Sequence, residues 1–249
     1  MITTSNPSPP TTEPNYEIIF PKGEFWSDEP PLETYLHLTQ IILLLKSLQW
    51  LWQDRKDYFA AGNLTIYYSP NQKKSEDFRG PDFFVVLGTK WDEKRKSWVV
   101  WEEEGKYPNV IIEILSDSTA ATDRGEKKEI YQDTFRTPDY FWFDPYTLEF
   151  KGFTLISGKY QPIEPNEQGC LWSEQLQLYL GIYEDKLRYF DIDGELVSSP
   201  EEAASQEREQ KELALQQQDY EREQKELALQ ENEQLKAKLR ELGINPNEI

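Results

Sequence analysis

The chain has 249 residues, of which 37% are hydrophobic and 14% aromatic, and it carries a formal net charge of −19. That apolar content fills one core and scarcely two, so one domain with appendages is expected. The charge argues against non-specific affinity for phosphate backbones, and the single Cys170 and single His37 exclude an internal disulfide and a Cys/His zinc cluster built within the chain.

Residues 1–15 are rich in Ser, Thr and Pro and lack both a basic stretch and an apolar signal core, so a disordered start is expected rather than a secretory leader. With a lone thiol, a cytoplasmic setting follows. From Glu33 to Trp52, Leu36, Ile41, Leu44, Leu48 and Leu51 recur at helical intervals, which predicts a helix packed on a sheet. His37, Gln40, Lys46, Ser47 and Gln49 interrupt that stretch, and it falls short of a membrane span. Strands are expected at Leu64 to Tyr68, Phe83 to Leu87, Trp98 to Trp101 and Val110 to Leu115, the last two close enough to pair. A helix from about Ala121 to Thr134 and a strand at Tyr140 to Phe143 then suggest a parallel crossover. Leu148 to Leu155, Lys159 to Ile163, Leu176 to Leu180 and Leu187 to Phe190 read as further strands, with Gly152, Gly158, Gly181 and Gly194 as punctuation.

The tail changes character. Ser199-Pro200-Glu201-Glu202 has the logic of a capped helix start, and Gly243 and Pro246 mark its end. Residues 207–216 recur unchanged as 221–230, so one helical face is repeated. Leu213, Tyr220 and Leu227 fall seven apart, but Gln217 and Gln224 between them make a poor dimeric seam. A long charged helix with weak or conditional self-association is expected, against the plainer alternative of a solvated helix without a partner. From Ser199 onward there are 13 acids and 7 bases, about a third of the chain's acidic excess. Lys94-Arg95-Lys96 reads either as a local cationic patch or as a solvated turn.

Two strand-like runs each carry one acid: Asp82 opens Phe83-Phe84-Val85-Val86-Leu87, and Glu113 interrupts Val110-Ile111-Ile112-Glu113-Ile114. An isolated buried carboxylate is costly unless it is paired or metal-bound. Asp82 alone reads more simply as a turn acid, whereas Glu113 alone divides evenly between structural and functional readings. Metal-assisted phosphodiester cleavage needs oxygen ligands on rigid elements, an activated water and a cation near the phosphate. Asp82 and Glu113 can supply ligands, and the carbonyl of Ile114 can complete the protein's share. The cation usually sits two residues after the Glu, where this chain has Leu115. Lys127 is the nearest substitute, four residues from both Asp123 and Tyr131, with Lys128 as its neighbouring alternative. Trp98 and Trp101 could stack on bases, but core packing is their commoner use. Nucleophilic catalysis by Ser or Cys is not expected, because no motif pairs His37 with Cys170.

Gly80-Pro81-Asp82, Glu113-Ile114-Leu115-Ser116-Asp117-Ser118-Thr119, Asp123-Arg124 with Lys127 and Tyr131, and Pro138-Asp139-Tyr140-Phe141-Trp142-Phe143-Asp144-Pro145 follow one another in fixed order. In order and spacing they resemble the Uma2 (DUF820) family of the PD-(D/E)xK nuclease superfamily, in its cyanobacterial form. The resemblance implies an α/β, restriction-endonuclease-like domain over 16–198, with a central mixed sheet flanked by helices, followed by the charged helix of 199–249. It implies Mg²⁺, or Mn²⁺, held by Asp82, Glu113 and Ile114, with Lys127 replacing the missing strand lysine and DNA as the substrate. Two departures stand out. Asp117 occupies a position where the family commonly has Pro, and Arg136-Thr137 replaces a Gly-Val. The alternative is a catalytically silent module of the same fold acting through its tail, and a second copy of the chain could bind through the nuclease domain or the C-terminal helix.

Overall fold

The computed structural model describes residues 34–68, 78–116 and 123–243, leaving aside the side chains of Asp123 and Arg124. The expectations for residues 1–15, Glu33, Asp117, Pro246 and the first residues of the second helix lie outside the described residues. Contacts divide the chain into two compact units, with the boundary between Val197 and Ser198.

The first unit begins with α1 (Tyr35–Leu51), whose N-cap Thr34 accepts from the His37 N–H at 3.2 Å. Its buried stripe is His37, Gln40, Ile41, Leu44, Ser47 and Leu48, spaced as one helical face. The strands are β1 (Tyr58–Gly62), β2 (Ile66–Tyr67), β3 (Phe78–Arg79), β4 (Phe83–Leu87), β5 (Trp98–Val99) and β6 (Val110–Ile114). A second helical segment, α2, joins a π turn Asp123–Lys127, an α turn Lys128–Ile130 and a second π turn Tyr131–Phe135. Then follow β7 (Asp139–Phe143), β8 (Phe150–Ile156), β9 (Lys159–Pro162), β10 (Leu171–Ser173), β11 (Leu178–Tyr183) and β12 (Lys186–Phe190).

The central sheet has the order β1-β4-β6-β7-β8-β9 and is mixed: β6 and β7 run parallel across the α2 crossover, and every other neighbouring pair is antiparallel. Alternation sends Phe83, Val85, Val110, Ile112, Ile114, Phe141 and Phe143 to one face, where α1 and the β10-β11-β12 sheet cover them. Phe84, Val86, Ile111, Tyr140 and Trp142 go to the other face, under Tyr131 and Phe135 of α2 and Ile66 and Trp98 of the small β3-β2-β5 sheet. Both faces are therefore dry, which explains the near-continuous apolar runs of β4 and β6. Gln40 adds a polar clamp: its Nε2 donates to the Leu187 carbonyl at 2.9 Å, and the Leu187 N–H donates to its Oε1 at 3.1 Å, tying α1 to β12.

Several expectations are corrected. The stretch expected as a strand to Trp101 ends at Val99, because Glu103 N–H donates to Val99 O and Gly105 N–H to Val100 O in a turn. β5 pairs with β2 rather than with β6, whose edges are already occupied by β4 and β7. β1, with its Ala60-Ala61 centre, and the short β3 and β10 were not anticipated, since none carries a clear apolar alternation. Gly152 and Gly181 lie inside strands, not at turns. A Cβ on Gly152 would stand 2.6 Å from the Phe141 ring, so that glycine marks close packing. Arg136 caps α2 with φ +54, the left-handed conformation that a glycine would adopt without strain. Arg95 turns inward over the rings of Phe59 and Trp98 and pairs with Glu103 at 2.8 Å, so the Lys94-Arg95-Lys96 run is not a three-residue cationic patch.

The second unit carries α3 (Pro200–Glu241). Ser199 and Glu202 form a capping box, Pro200 sits in the first turn, and no residue of the helix is buried. Among the described residues no helix is long and apolar enough to cross a membrane.

Asp139 joins β7 to the β10-β11-β12 sheet. Its Oδ2 accepts from Ser173 Oγ at 2.7 Å and from Gln175 N–H at 3.0 Å, and its Oδ1 accepts from Thr154 Oγ1 at 3.3 Å. Burial pushes its carboxyl above the ordinary 3.8, and these three donors only partly offset it. The folded protein thus holds this proton more tightly than the unfolded chain, and the group's contribution to stability falls as pH rises from below 3.8 through its raised value. Urea unfolding across that window is expected to show the stability of the native protein, relative to Asp139→Asn, declining with rising pH. A pH-independent difference would show that the carboxyl is not shifted.

Candidate active site

Glu113 sits in the middle of the sheet with 0% exposure, and strand alternation aims it at α2. Its Oε1 accepts from the Tyr131 hydroxyl at 2.7 Å, and its Oε2 accepts from Lys127 Nζ and from the Asp82 N–H, both at 3.2 Å. Lys127 and Tyr131 reach the same carboxylate because they lie four residues apart, about one turn, on one face of α2. Wide π turns at functional sites are a recurrent feature, and here two of them carry the donors.

Asp82 precedes β4 and is 8% exposed. Antiparallel pairing of β4 with β6 brings it beside the end of β6, where the Ile114 N–H donates to its Oδ2 at 2.7 Å. His37 Nε2 approaches its Oδ1 to 2.9 Å from α1. Burial pushes the Asp82 carboxyl up, but the close approach of His37, the Lys127 charge and the Ile114 N–H outweigh it, and the group stays below the ordinary 3.8. Asp82 is thus held ionised.

The structure therefore brings Asp82, Glu113, Lys127 and the backbone of Ile114 together, as contacts between three separate elements. It also separates the two candidate lysines. Lys128 Nζ lies 3.4 Å over the Phe153 ring, and burial lowers its pKa, so it faces away from the acids while Lys127 faces them. The side chain of Asp123, proposed to share a face with Lys127, lies outside the described residues.

Sequence reasoning missed His37. The available signal was a polar residue on the buried stripe of an amphipathic helix, a position normally given to Leu or Ile. It also missed Arg79, whose guanidinium bonds Glu126 at 2.6 Å beside Lys127 and ties β3 to α2. The pair of carboxylates suits a hard divalent cation, since both supply ionised oxygens from rigid strands at a buried position. Among the described residues no three His, Cys, Asp or Glu side chains form a group arranged to hold an ion, and Tyr131 and Lys127 both draw on Glu113.

The fold is α/β with a central mixed sheet, and an acid beside the start of one central strand, a second acid on its neighbour and a lysine on the crossover helix meet within it. The Uma2 family model, described as "Putative restriction endonuclease", matches residues 7–182, and the chain belongs to that family. No curated protein matches it. Among solved structures it is similar to a protein from Anabaena variabilis ATCC 29413, titled a "putative nuclease belonging to DUF820". That similarity has a TM-score of 0.43 at 12% identity and covers 59% of this chain and 76% of the other.

Removing one member of a buried ion pair strands the other, at a cost of about 3–5 kcal/mol. Lys127→Met is expected to destabilise the metal-free protein by about that amount, and adding Glu113→Gln to it is expected to recover part of the loss. Urea denaturation in EDTA measures both; a Lys127→Met variant as stable as the parent would show that Glu113 does not depend on this partner.

Proposed function

We propose that the first unit is a metal-dependent endonuclease that hydrolyses phosphodiester bonds, with DNA as substrate and Mg²⁺ or Mn²⁺ as cofactor. The supporting observation is the meeting of Asp82, Glu113 and Lys127 from β4, β6 and α2, since two carboxylates and a cation are what such hydrolysis requires. Asp82 and Glu113 would hold the ion, with the Ile114 backbone beside them. When bound, the ion supplies Lewis-acid polarisation of a phosphoryl oxygen and a water acidified toward neutral pH. Asp82 is prepared for that role because its neighbours keep it ionised despite burial. Lys127 is positioned to orient the attacking water or to stabilise charge gathering on the phosphoryl oxygens. The α1 helix and the apolar strands on either side limit solvent near these groups, which strengthens every charge interaction among them.

The rival reading is a catalytically silent module of the same fold acting through α3. What favours it is a 42-residue helix with no buried residue and with Leu213, Tyr220 and Leu227 exposed along one line. Uncharged Gln217 and Gln224 lie between them, so a second copy could dock there weakly.

Supercoiled and linear DNA incubated with the purified chain and Mg²⁺ or Mn²⁺ should be cut, while Asp82→Asn and Glu113→Gln retain the native circular dichroism and lose cleavage. Undiminished cleavage by both variants would remove these residues from the site. For the tail, sedimentation of the full chain against residues 1–198 is expected to show loss of self-association on truncation with cleavage intact. The rival reading gains if DNA stays uncut and truncation alone changes the assembly.

A further inference from the structure

We infer that Arg79 is a phosphate-binding residue at the rim of the candidate site, and that Glu126 occupies it as an internal anion until a nucleic-acid phosphate takes its place. The inference rests on the endonuclease reading of Asp82, Glu113 and Lys127 and adds a substrate contact to that same site.

Arg79 closes β3, and only Gly80 and Pro81 separate it from Asp82, so the Cα atoms of the two charged residues stand within about 11 Å of each other. On the side of α2, its Nη2 donates to Glu126 Oε1 at 2.6 Å. Glu126 immediately precedes Lys127 in the turn Asp123–Lys127, and adjacent helical residues point in different directions. Lys127 turns in to the buried Glu113, whereas the Glu126 side chain is 65% exposed. The Arg79 side chain, 20% exposed, therefore lies at the edge of the turn that carries Lys127. A guanidinium has five N–H donors and no acceptor. Among the described residues Arg79 gives one to the Phe78 carbonyl at 2.8 Å and one to Glu126, and no described residue takes the other three. The Phe78 bond lies within β3, so it orients the side chain independently of Glu126.

The two cations differ in what it takes to release them. Lys127 answers a carboxylate with no exposure, and withdrawing it would strand that charge. Arg79 answers one that is mostly hydrated already, and an ion pair of that kind is worth about 0–1 kcal/mol. Phosphate offers a guanidinium the same two-oxygen match as carboxylate does. Exchanging Glu126 for a phosphodiester thus leaves Arg79 with an oxyanion and returns Glu126 to water. Successive phosphates of one strand advance about 3.4 Å along a duplex. A strand with its reacting phosphate at Asp82 and Glu113 carries a neighbouring phosphate past the Arg79 rim, where the unused donors meet it. Glu126 meanwhile guards the site, since only a ligand that outcompetes a tethered carboxylate takes the guanidinium.

The test measures binding of a fluorescently labelled DNA duplex to the full chain by anisotropy, across a salt series, with Ca²⁺ as the divalent ion because it takes oxygen ligands. Arg79→Gln is expected to weaken binding about tenfold and to lower the slope of log affinity against log salt by about one. Glu126→Gln is expected to tighten binding, by up to about fivefold. The opposite signs separate a phosphate contact from a structural tie: both substitutions break the same ion pair, and loss of a tie would make both weaken binding. Arg79→Lys, which keeps the charge without the fork, is expected to recover part of the affinity. Binding by Glu126→Gln that is unchanged or weaker, or an unchanged salt slope in Arg79→Gln, would overturn the role of Arg79 and leave the endonuclease reading standing. A native chain that binds no duplex in Ca²⁺, Mg²⁺ or Mn²⁺ would overturn that reading and the inference with it. Because the gain in affinity is read on Glu126→Gln, the outcome does not depend on the Arg79→Gln variant folding.

Discussion

Glu113 is a carboxylate with no exposure at the centre of a sheet whose two faces are dry, and the architecture around it is organised to make that tolerable. An uncompensated charge there would cost several kcal/mol, a large part of what holds a domain of this size together. Three donors meet it: a hydroxyl, an ammonium and a backbone N–H, from two helical turns and from the residue that opens β4. Each donor in turn fixes a piece of the fold. Tyr131 and Lys127 set how α2 lies on the sheet, and the Asp82 N–H sets the start of β4 against the end of β6. The polar cluster is thus a structural keystone in the metal-free protein as well as the proposed centre of chemistry.

Much of this was legible in the sequence because strands buried on both faces leave a strong trace. Val110 to Ile114 admits only one charged residue, and it is the one that matters. The helix of α1 and the crossover between β6 and β7 followed from periodicity and spacing. Other features left no local trace. β1 has two alanines at its centre and is recruited as an edge strand by β4, a tertiary choice that no pattern within Tyr58-Phe59-Ala60-Ala61-Gly62 announces. β5 was assigned the wrong neighbour for the same reason: sequence proximity to β6 suggested a pair, but β6 had two better partners and Trp98 was drawn into the opposite face of the core.

His37 shows the limit of motif reasoning most clearly. It lies 45 residues before Asp82 on an element of different type, and only the three-dimensional packing of α1 on the sheet brings the two together. The choice between Lys127 and Lys128 is a related case. Adjacent helical residues point about 100° apart, so one of them had to face the acids, but only the register of α2 on the sheet decides which. The structure decides it through Phe153, whose ring takes Lys128 and leaves Lys127 to Glu113.

The chain's acidity, which at first counts against a nucleic-acid substrate, fits the site once its charges are summed locally. Two carboxylates against one ammonium leave one net negative charge while no ion is bound, with His37 taken as neutral. On a chain of net charge −19, that repels a phosphodiester. A divalent ion bound there, as proposed, would reverse the local sign to one net positive charge and offer the phosphate a ligand position. Under the proposed reading, substrate affinity is then conditional on the metal rather than on a basic surface. Such a protein would bind nucleic acid weakly when empty. Under that reading the buried pair of acids accounts for both properties: it would make the metal-free centre repel a phosphodiester and give a loaded centre something to hold it with.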